Sequence, residues 1–322
     1  MKKRLFSVFI LCAVIILLCG ANTLPVETPQ SHNDEQPSGP VYDMRTATMP
    51  DNPREFFCVM NINASLVYEK QGYFTQGMCM SDEYIYIAAA EQDGNDYRIR
   101  KIDRNTLNVI DESEIFYNHA NGMTYNENTN ELVVTALDGR SGLYRVSGAQ
   151  DYSLFVCNAS TLGIERIVNL EDIIKGISPD LLGISEIAYN SEKRQYLIST
   201  HHPNRYLIVL NEDFSLDSYI FIEEHNEEKG LYGDMTCDGD YIYFCRWVKE
   251  KDQMLNAIDR YTYDGEYTGS CYLFGVSHIE SIEMGDDGYC YANFIDFSYT
   301  RDLELYRFRL EDAYVRLCGA GI

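Results

Sequence analysis

A short phrase that recurs along the chain constrains the fold of this sequence more than any other feature. Each copy has small or polar residues followed by an apolar residue, and leads through a turn into an alternating β pattern. The copies are Gln76-Gly77-Met78, Asn121-Gly122-Met123, Ser185-Glu186-Ile187, Gly233-Asp234-Met235 and Glu280-Ser281-Ile282. Their apolar residues are spaced by 45, 64, 48 and 47 residues. Repeats of about 40–50 residues are typical of β-propeller blades, so the phrase predicts an all-β propeller of five blades.

The strand patterns between the phrases predict how the ring closes. Each phrase is followed by two more β patterns rich in Tyr, Ile and Val, and we expect the third strand of the second unit at residues 142–146. The long second interval leaves room for an insertion within residues 147–183. The fifth unit lacks a fourth strand, whereas residues 64–69 precede the first phrase at a fourth strand's distance. We therefore predict that this N-terminal strand completes the last blade and removes its exposed edge.

The N-terminus has the pattern of a signal peptide. Lys2, Lys3 and Arg4 precede an apolar run over residues 5–18, which is shorter than the roughly 20 residues of a membrane span. Cys19 and Ala21 place small residues at the −3 and −1 positions of a cleavage site after Ala21. The sequence therefore predicts a signal peptide over residues 1–21. We expect a secreted protein, extracellular or attached to the cell surface. A lipid anchor on Cys19 and an uncleaved anchor are the alternatives.

Residues 22–55 have the composition of a disordered linker. They contain six of the eight prolines of the chain, together with many Asn, Asp, Glu and Ser residues. Such a segment has too little apolar surface to offset the entropy lost on ordering. We expect a linker here and the propeller over residues 56–318.

The formal net charge of −24 limits the partners of the protein. A field of this sign repels nucleic acid and anionic membranes and attracts cations or cationic partners, including basic peptides. A simply solvated acidic surface is the alternative. The cysteines form no CxxC pair and no zinc-type spacing with histidines. We expect no metal site and no cofactor, apart from a bound cation such as calcium, and we expect a monomer with no membrane insertion beyond the lipid anchor.

Propeller geometry predicts where a site would lie. The innermost strands begin, and the second strands end, at one face of the central channel, so the phrases and the second-strand exits surround the same opening. Candidate catalytic residues there are Glu186, Glu280 and His119, which suit acid–base chemistry. Candidate ligand-binding residues are Gln76, Asn121, Asp234, Arg246, Trp247 and His278. The alternative is that these polar groups bind only water and one another.

Two segments resemble a known enzyme family. Phe74-Thr75-Gln76-Gly77-Met78 and Glu280-Ser281-Ile282-Glu283 are similar to blade phrases of the plant-type glutaminyl cyclase (glutamine cyclotransferase) family. The resemblance implies a five-bladed propeller that closes an N-terminal glutamine into pyroglutamate. The family's glutamate on the second strand of the first blade is replaced here by the apolar stretch Ile87-Ala88-Ala89. The fold of a family can be retained where its reaction is not.

These patterns favour a binding function over a catalytic one. We expect a secreted or surface-tethered propeller that binds a ligand or protein partner through an acidic channel face. A glutaminyl cyclase-like or other channel-face enzyme is the first alternative. A protein-interaction propeller that uses its outer blade edges is the second.

Overall fold

The computed structural model contains two units, Met1–Ser38 and Gly39–Ile322, and only part of the second is described. The described residues are 41–43, 57–58, 63–70, 73–91, 97–114, 120–136, 151–200, 206–222, 231–250, 253–274, 278–295 and 303–310. They form 22 strands, numbered β1 to β22 along the chain, and the helix α1 (Glu171–Ile177). The predicted signal peptide and most of the predicted linker lie outside these residues.

Five antiparallel sheets, each with four main strands, form the blades. The innermost strands of blades 1 to 5 are β4 (Tyr73–Met80), β8 (Met123–Asn126), β12 (Ile184–Asn190), β16 (Leu231–Cys237) and β20 (His278–Met284). The second strands are β5 (Tyr84–Glu91), β9 (Glu131–Thr135), β13 (Gln195–Thr200), β17 (Tyr241–Glu250) and β21 (Cys290–Ile295). Each innermost strand contacts the innermost strands of both neighbouring blades, which makes the five sheets a ring.

The outer strands complete the blades and close the ring. The third strands are β6 (Arg98–Asp103), β10 (Ser153–Asn158), β14 (Tyr206–Asn211), β18 (Gln253–Thr262) and β22 (Leu303–Phe308). The fourth strands are β7 (Val109–Glu112), β11 (Ile164–Asn169), β15 (Leu216–Phe221), β19 (Tyr267–Phe274) and β3 (Asn63–Lys70). The N-terminal β3 pairs with the C-terminal β22, so the predicted closure of blade 5 is confirmed.

The hydrophobic core is divided among the five interfaces between neighbouring blades, each filled by one cluster of buried side chains. Strand β5 shows why the sequence is apolar on both strand faces. Tyr86 and Ala88 pack against blade 2, whereas Ile85 and Ile87 pack against blade 5. Successive strand residues point to opposite sides, and both sides of a blade are covered. The second strands are therefore continuous apolar runs.

Blade 2 differs from its predicted layout. Its third strand is β10 (Ser153–Asn158), which pairs with β9, so the expected third strand at residues 142–146 is wrong. Residues 142–146 lie outside the described part of the chain. The helix α1 follows β11 and precedes β12, within the range predicted for an insertion. Its buried Ile174 packs with the cluster between blades 2 and 3.

Two short strands extend the outer blade edges. Strand β1 (Val41–Asp43) pairs with β3 in blade 5, and β2 (Phe57–Cys58) pairs in parallel with β19 in blade 4. β1 falls within the range predicted as a linker. These segments cover part of two edges that would otherwise expose unpaired backbone groups.

Candidate functional site

The recurring phrase forms a β-bulge in the innermost strands. Pairing with the second strand is interrupted in four blades, between Thr75 and Met78, Ile184 and Glu186, Tyr232 and Met235, and Ile279 and Ser281. In blade 2, regular pairing begins at Met123, the last residue of the phrase. A bulge redirects side chains from the regular alternation. The polar residues of the phrase thus lie at one common level of the ring.

Small residues let the innermost strands approach one another at this level. The Gly77 N–H of blade 1 donates to the Ala120 carbonyl of blade 2 at 2.9 Å. A Cβ atom on Gly77 would lie 2.7 Å from that oxygen, and one on Gly233 would lie 2.5 Å from the Glu280 carbonyl oxygen. Neither position has room for a larger residue. The bulges are therefore close contacts between blades as well as turning points within them.

Five of the predicted site residues are buried at the bulge level: Gln76, Glu186, Asp234, His278 and Glu280. They come from blades 1, 3, 4 and 5, so the ring brings residues that are distant in the chain to one level. Asn121 precedes β8 and is partly exposed. His119 lies outside the described residues. Trp247 belongs to β17, but its side chain is likewise outside the described part.

Asp234 is the most isolated of these groups. Its side chain is 0% exposed, and neither carboxylate oxygen has a hydrogen-bond partner within the described residues. Burial raises the pKa of Asp234 well above its ordinary range, and the charges of Glu186 and Glu283 raise it further. The nearby Met235 N–H offsets part of this effect. A buried carboxyl in this setting favours its neutral form.

His278 and Glu280 lie beside each other on β20. His278 Nδ1 is 3.6 Å from Glu280 Oε1, which is longer than a hydrogen bond. Burial lowers the pKa of His278 to about 3 and raises the pKa of Glu280 well above its ordinary range. Both shifts favour the uncharged forms, a neutral imidazole beside a carboxylic acid, over an ion pair.

Arg246 is engaged within its own blade. Its Nε atom donates to Asp259 Oδ2 at 3.0 Å and its Nη2 atom to Asp259 Oδ1 at 3.3 Å, and both side chains are buried. The Ser270 hydroxyl donates to the same carboxylate at 2.6 Å. This arrangement joins β17, β18 and β19. The predicted ligand-binding arginine therefore holds three strands of blade 4 together.

A cavity of about 620 Å³ opens at the opposite end of the ring. It is surrounded by the turns that join the innermost to the second strands in all five blades, and we name it the turn-side cavity. Its carboxylates are Asp82, Glu83, Glu127, Glu192, Asp238, Glu283 and Asp286. Tyr84, Tyr86, Tyr125 and Tyr189 contribute aromatic walls. Acidic and aromatic groups together are the surroundings that favour a bound cation.

Lys101 is the one basic residue in the described lining of this cavity. Its Nζ atom donates to the Ala159 carbonyl at 3.1 Å and lies 4.0 Å from the centroid of the Tyr84 ring. The lysine is buried against these partners. Its charge is therefore committed locally and offsets only part of the negative field of the cavity.

Two carboxyl groups of blade 5 have perturbed titration in the turn-side cavity. Glu283 Oε2 accepts a hydrogen bond from the Thr236 hydroxyl at 3.0 Å, and burial raises the pKa of Glu283 to about 8. At the mouth, a hydrogen bond with Asp82 and partial burial raise the pKa of Asp286 to about 6. The raised pKa values show that the surroundings of these two carboxyl groups do not fully compensate their negative charge.

The sequence did not predict this cavity as a site. Its acidic turns, Ser81-Asp82-Glu83 and Asp286-Asp287-Gly288 among them, have the composition of ordinary tight turns. The available signal was that acidic residues recur in turns at equivalent positions of several blades. Such turns lie side by side once the ring is closed.

Metal and membrane signatures are absent from the residues that the structure describes. Those residues hold no group of three or more His, Cys, Asp or Glu side chains arranged to bind a metal ion. None of their helices is long and apolar enough to cross a bilayer. Six cysteines, Cys79, Cys157, Cys237, Cys245, Cys271 and Cys290, are free thiols.

No protein-family model and no curated protein matches the sequence. Among solved structures, Kuenenia stuttgartiensis hydrazine synthase is similar over 69% of this chain and 64% of its own, with 10% identity and a TM-score of 0.41. The match thus spans less than two thirds of the hydrazine synthase chain. The β-propeller domain of Myceliophteria thermophila Cps50 (Swd1) is similar over 76% of this chain and 99% of its own, with 7% identity and a TM-score of 0.43.

Three features define the class of the protein: the five sheets, the ring formed by their innermost strands, and a last blade built from both N-terminal and C-terminal strands. It is an all-β, five-bladed β-propeller.

Proposed function

We propose that the protein is a binding propeller that takes up cationic ligands through the turn-side cavity. The observation that carries this proposal is the composition of the lining, which has seven acidic side chains, two of them with a raised pKa, and one lysine that is already bonded to a carbonyl. A cavity lined by one sign of charge concentrates ligands of the opposite sign.

This proposal moves the binding site from one end of the ring to the other. Sequence patterns favour the phrase end, where Glu186, Asp234 and Glu280 are buried and the strands approach closely. The described open volume lies at the turn end, where ligand can reach exposed acidic groups such as Asp286. The acidic channel is common to both interpretations.

We further propose that the protein works outside the cell. The signal-peptide pattern of residues 1–21 supports export, and the proline-rich residues 22–55 suit a tether to the cell surface. An extracellular acidic cavity would meet free amines, basic peptides and inorganic cations. The net charge of the chain argues against nucleic acid as a ligand.

Isothermal titration calorimetry with spermidine, a tri-lysine peptide and calcium tests the binding function. We expect at least one of them to bind, and to bind more weakly at about 200 mM than at about 20 mM salt because screening shortens the range of the field. The double variant Asp82→Asn, Asp286→Asn should weaken binding. The control Asp217→Asn, Asp264→Asn removes the same charge from exposed sites outside the cavity and should not. The proposal fails if none of the three cations binds at low salt.

An enzyme of the glutaminyl cyclase type is the second candidate. It is supported by the resemblance of the blade phrases and by the buried Glu280, whose raised pKa favours the neutral form of the carboxyl. The charges of Glu280, Glu186 and Asp234 all act on the Cys245 thiol, and a carboxylic acid held neutral can transfer a proton. The test is cyclisation of an N-terminal glutamine peptide by wild type, Glu186→Gln and Glu280→Gln. Absence of turnover above background removes this candidate, and turnover unchanged in both variants removes these two glutamates from the mechanism.

A further inference from the structure

The N-terminal segment runs along the outer edges of two blades before it closes the ring. Strand β1 (Val41–Asp43) pairs with β3 at the edge of blade 5, and β2 (Phe57–Cys58) pairs with β19 at the edge of blade 4. The chain then returns to blade 5 as β3 (Asn63–Lys70), which pairs with β22. Strand β2 therefore precedes the closing strand directly and connects the segment to a different blade.

The pairing of β2 brings two cysteines to opposite positions of one ladder. The strand runs parallel to β19, with Phe57 in register with Ser270 and Cys58 in register with Cys271. Neighbouring strands lie about 4.8 Å apart, and a disulfide joins residues whose Cα atoms are about 4.4–6.8 Å apart. Register partners also occupy the same face of a sheet. The backbone thus places Cys58 and Cys271 at positions that a disulfide can join.

This placement is specific to these two residues within the described ladders. The other cysteines of the described strands all have register partners of other residue types, and they are Cys79, Cys157, Cys237, Cys245 and Cys290. Cys58 and Cys271 are therefore the one pair of cysteines in register in the part of the chain that the structure describes.

Two cysteines of the core are the nearest competitors for Cys271, because Cys245 and Cys290 belong to the same buried cluster between blades 4 and 5. The Cys245 thiol is hydrogen-bonded to backbone groups of β16 and β20, and the Cys290 thiol donates to the backbone carbonyl of the next residue. Burial raises the pKa of both thiols well above the ordinary range. The thiolate is the form that attacks a disulfide, so both competitors are poor nucleophiles.

We propose that Cys58 and Cys271 form a disulfide that fastens the N-terminal segment to blade 4. The oxidant is a small-molecule or protein disulfide. One cysteine thiolate attacks it, forms a mixed disulfide and expels a first thiolate, and the other cysteine then attacks the mixed disulfide and expels the second. Two protein thiols are thus oxidised to one S–S bond, the external disulfide is reduced to two thiols, and the two protons pass to the expelled thiolates.

The short length of β2 allows this reaction at a buried position. Cys271 is wholly buried, so the oxidant reaches it only after local opening. Two residues supply too few ladder hydrogen bonds to resist such opening. Once β2 detaches, β19 is the edge strand of blade 4, which opens a route to Cys271. This inference rests on the proposed location outside the cell, where disulfides persist.

The bond would change how the tether connects to the ring. Cys58 precedes Asn63, the first residue of β3, by five positions. A pull on the N-terminal tether would pass through the S–S bond into blade 4 before it reached the pairing of β3 with β22. The bond would therefore protect the strand that closes the propeller.

The test maps the cross-link after the purified, reduced protein is oxidised with oxidised glutathione under native conditions. Unreacted thiols are blocked, and trypsin with a glutamate-specific protease then separates the cysteines onto different fragments, which are residues 56–69 for Cys58, residues 267–280 for Cys271 and residues 284–301 for Cys290. Mass spectrometry should find the first two fragments linked in most molecules. Oxidation should also raise the melting temperature by about 5 °C or more, because the bond restricts a long loop of the unfolded chain.

Two alanine variants complete the experiment. Cys58→Ala should lose both the cross-link and the rise in melting temperature. Cys290→Ala removes a thiol of the same blade interface and should keep both. If Cys290→Ala does not fold, the fragment map of the wild-type protein decides between the cysteines.

The outcomes separate the disulfide from the proposed functions. A bond between Cys271 and Cys290, a bond between Cys58 and Cys318, or no bond after native oxidation overturns the proposal. A rise in melting temperature that survives in Cys58→Ala also overturns it. None of these results bears on cation binding, since Cys271 is not in the described lining of the turn-side cavity. Cell fractionation tests the extracellular location separately, whereas oxidation of the purified protein tests the cysteine pair in any compartment.

Discussion

The Ser281 hydroxyl of blade 5 donates a hydrogen bond to the backbone carbonyl oxygen of Gln76 in blade 1 at 3.2 Å, across 205 positions of the chain. Asn293 supports this contact from the second strand of blade 5. Its Nδ2 atom donates to the same carbonyl at 2.8 Å and to the Thr75 hydroxyl at 3.0 Å, and its Oδ1 atom accepts from the Ser281 N–H at 3.1 Å. The last and first blades are thus joined by buried polar contacts at the level of the bulges.

Replacing Asn293 should weaken the closed ring. Asn293→Ala leaves the buried Ser281 N–H without its partner and removes one of the two donors to the Gln76 carbonyl, and we expect a loss of about 3 kcal/mol in the free energy of unfolding. Urea denaturation measures this loss. Asn128→Ala, which removes exposed hydrogen bonds to Tyr189 and Glu212, should cost less than about 1 kcal/mol. Equal effects of the two variants would show that this junction has no special role.

Two glycine substitutions should act in opposite directions. Gly233→Ala places a methyl group 2.5 Å from the Glu280 carbonyl oxygen, and we expect it to destabilise the fold by about 2 kcal/mol or more. Gly176→Ala, in α1, meets no atom within 4 Å and should stabilise by about 0.5–1 kcal/mol because alanine favours helix. Thermal and urea unfolding compare the two. A neutral Gly233→Ala variant would contradict the close approach of blades 4 and 5.

Arg246 should affect stability rather than ligand affinity. Arg246→Ala leaves the buried Asp259 carboxylate without its ionic partner, which typically costs about 3–5 kcal/mol. Arg194→Ala removes an exposed arginine paired with Glu212 and should cost less than about 1 kcal/mol. Urea denaturation gives both values. If Arg246→Ala instead retains stability and loses binding of a cationic or peptide ligand, the sequence-based assignment of Arg246 to a ligand site is correct.

The stability of the protein should decline toward alkaline pH because of Glu283. Its pKa is higher in the folded state, about 8, than its ordinary value of 4.5, so the folded state binds the proton more tightly. The resulting stabilisation is complete below about pH 4.5 and is lost as the pH rises through about 8. Glu283→Gln should flatten the decline in unfolding midpoint between pH 5 and pH 8, as measured by circular dichroism. An unchanged slope would contradict this assignment.

The acid side of the same profile reports on His278. Its folded-state pKa is lowered to about 3 from an ordinary 6.5, so the unfolded state gains the proton first as the pH falls. Stability should therefore decrease from about pH 6.5 toward pH 3. His278→Gln removes this contribution, and unfolding midpoints at pH 6.5 and pH 4 should then differ less than in wild type. A wild-type midpoint that rises on acidification over this range would argue against a buried neutral His278.

Much of the ring could be predicted from the sequence because each blade repeats the same short phrase followed by alternating β patterns. The phrases that end in Met78, Met123 and Met235 precede regular strand pairing in their blades. The closing strand was found because the fifth unit lacks a fourth strand of its own. The third strand of blade 2 was misplaced because the β9–β10 connection is long, and Leu143, Tyr144 and Val146 give residues 142–146 a composition that suits a strand as well as that of β10 does.

The cavity could not be predicted in the same way. Acidic residues such as Asp82 and Asp286 are typical of tight turns, and their pairing depends on blades 1 and 5 meeting across the closed ring. The sequence also could not show that Arg246 is committed to Asp259, since a polar residue near a strand exit has the same pattern whether it faces ligand or a neighbouring strand. Burial and partner choice arise only from packing.

The pairing of β3 with β22 also sets the order in which the molecule can be assembled. The strand that completes blade 5 is among the first parts of the propeller to be synthesised, and its partner is among the last. The main strands of blades 1 to 4 can form from sequentially adjacent segments, but β3 cannot pair with β22 until that late part of the propeller has been synthesised. Until then the edge of β3 that pairs with β22 is open to other chains. A C-terminal truncation that removes β22 should therefore also deprive the N-terminal strand β3 of its partner in blade 5.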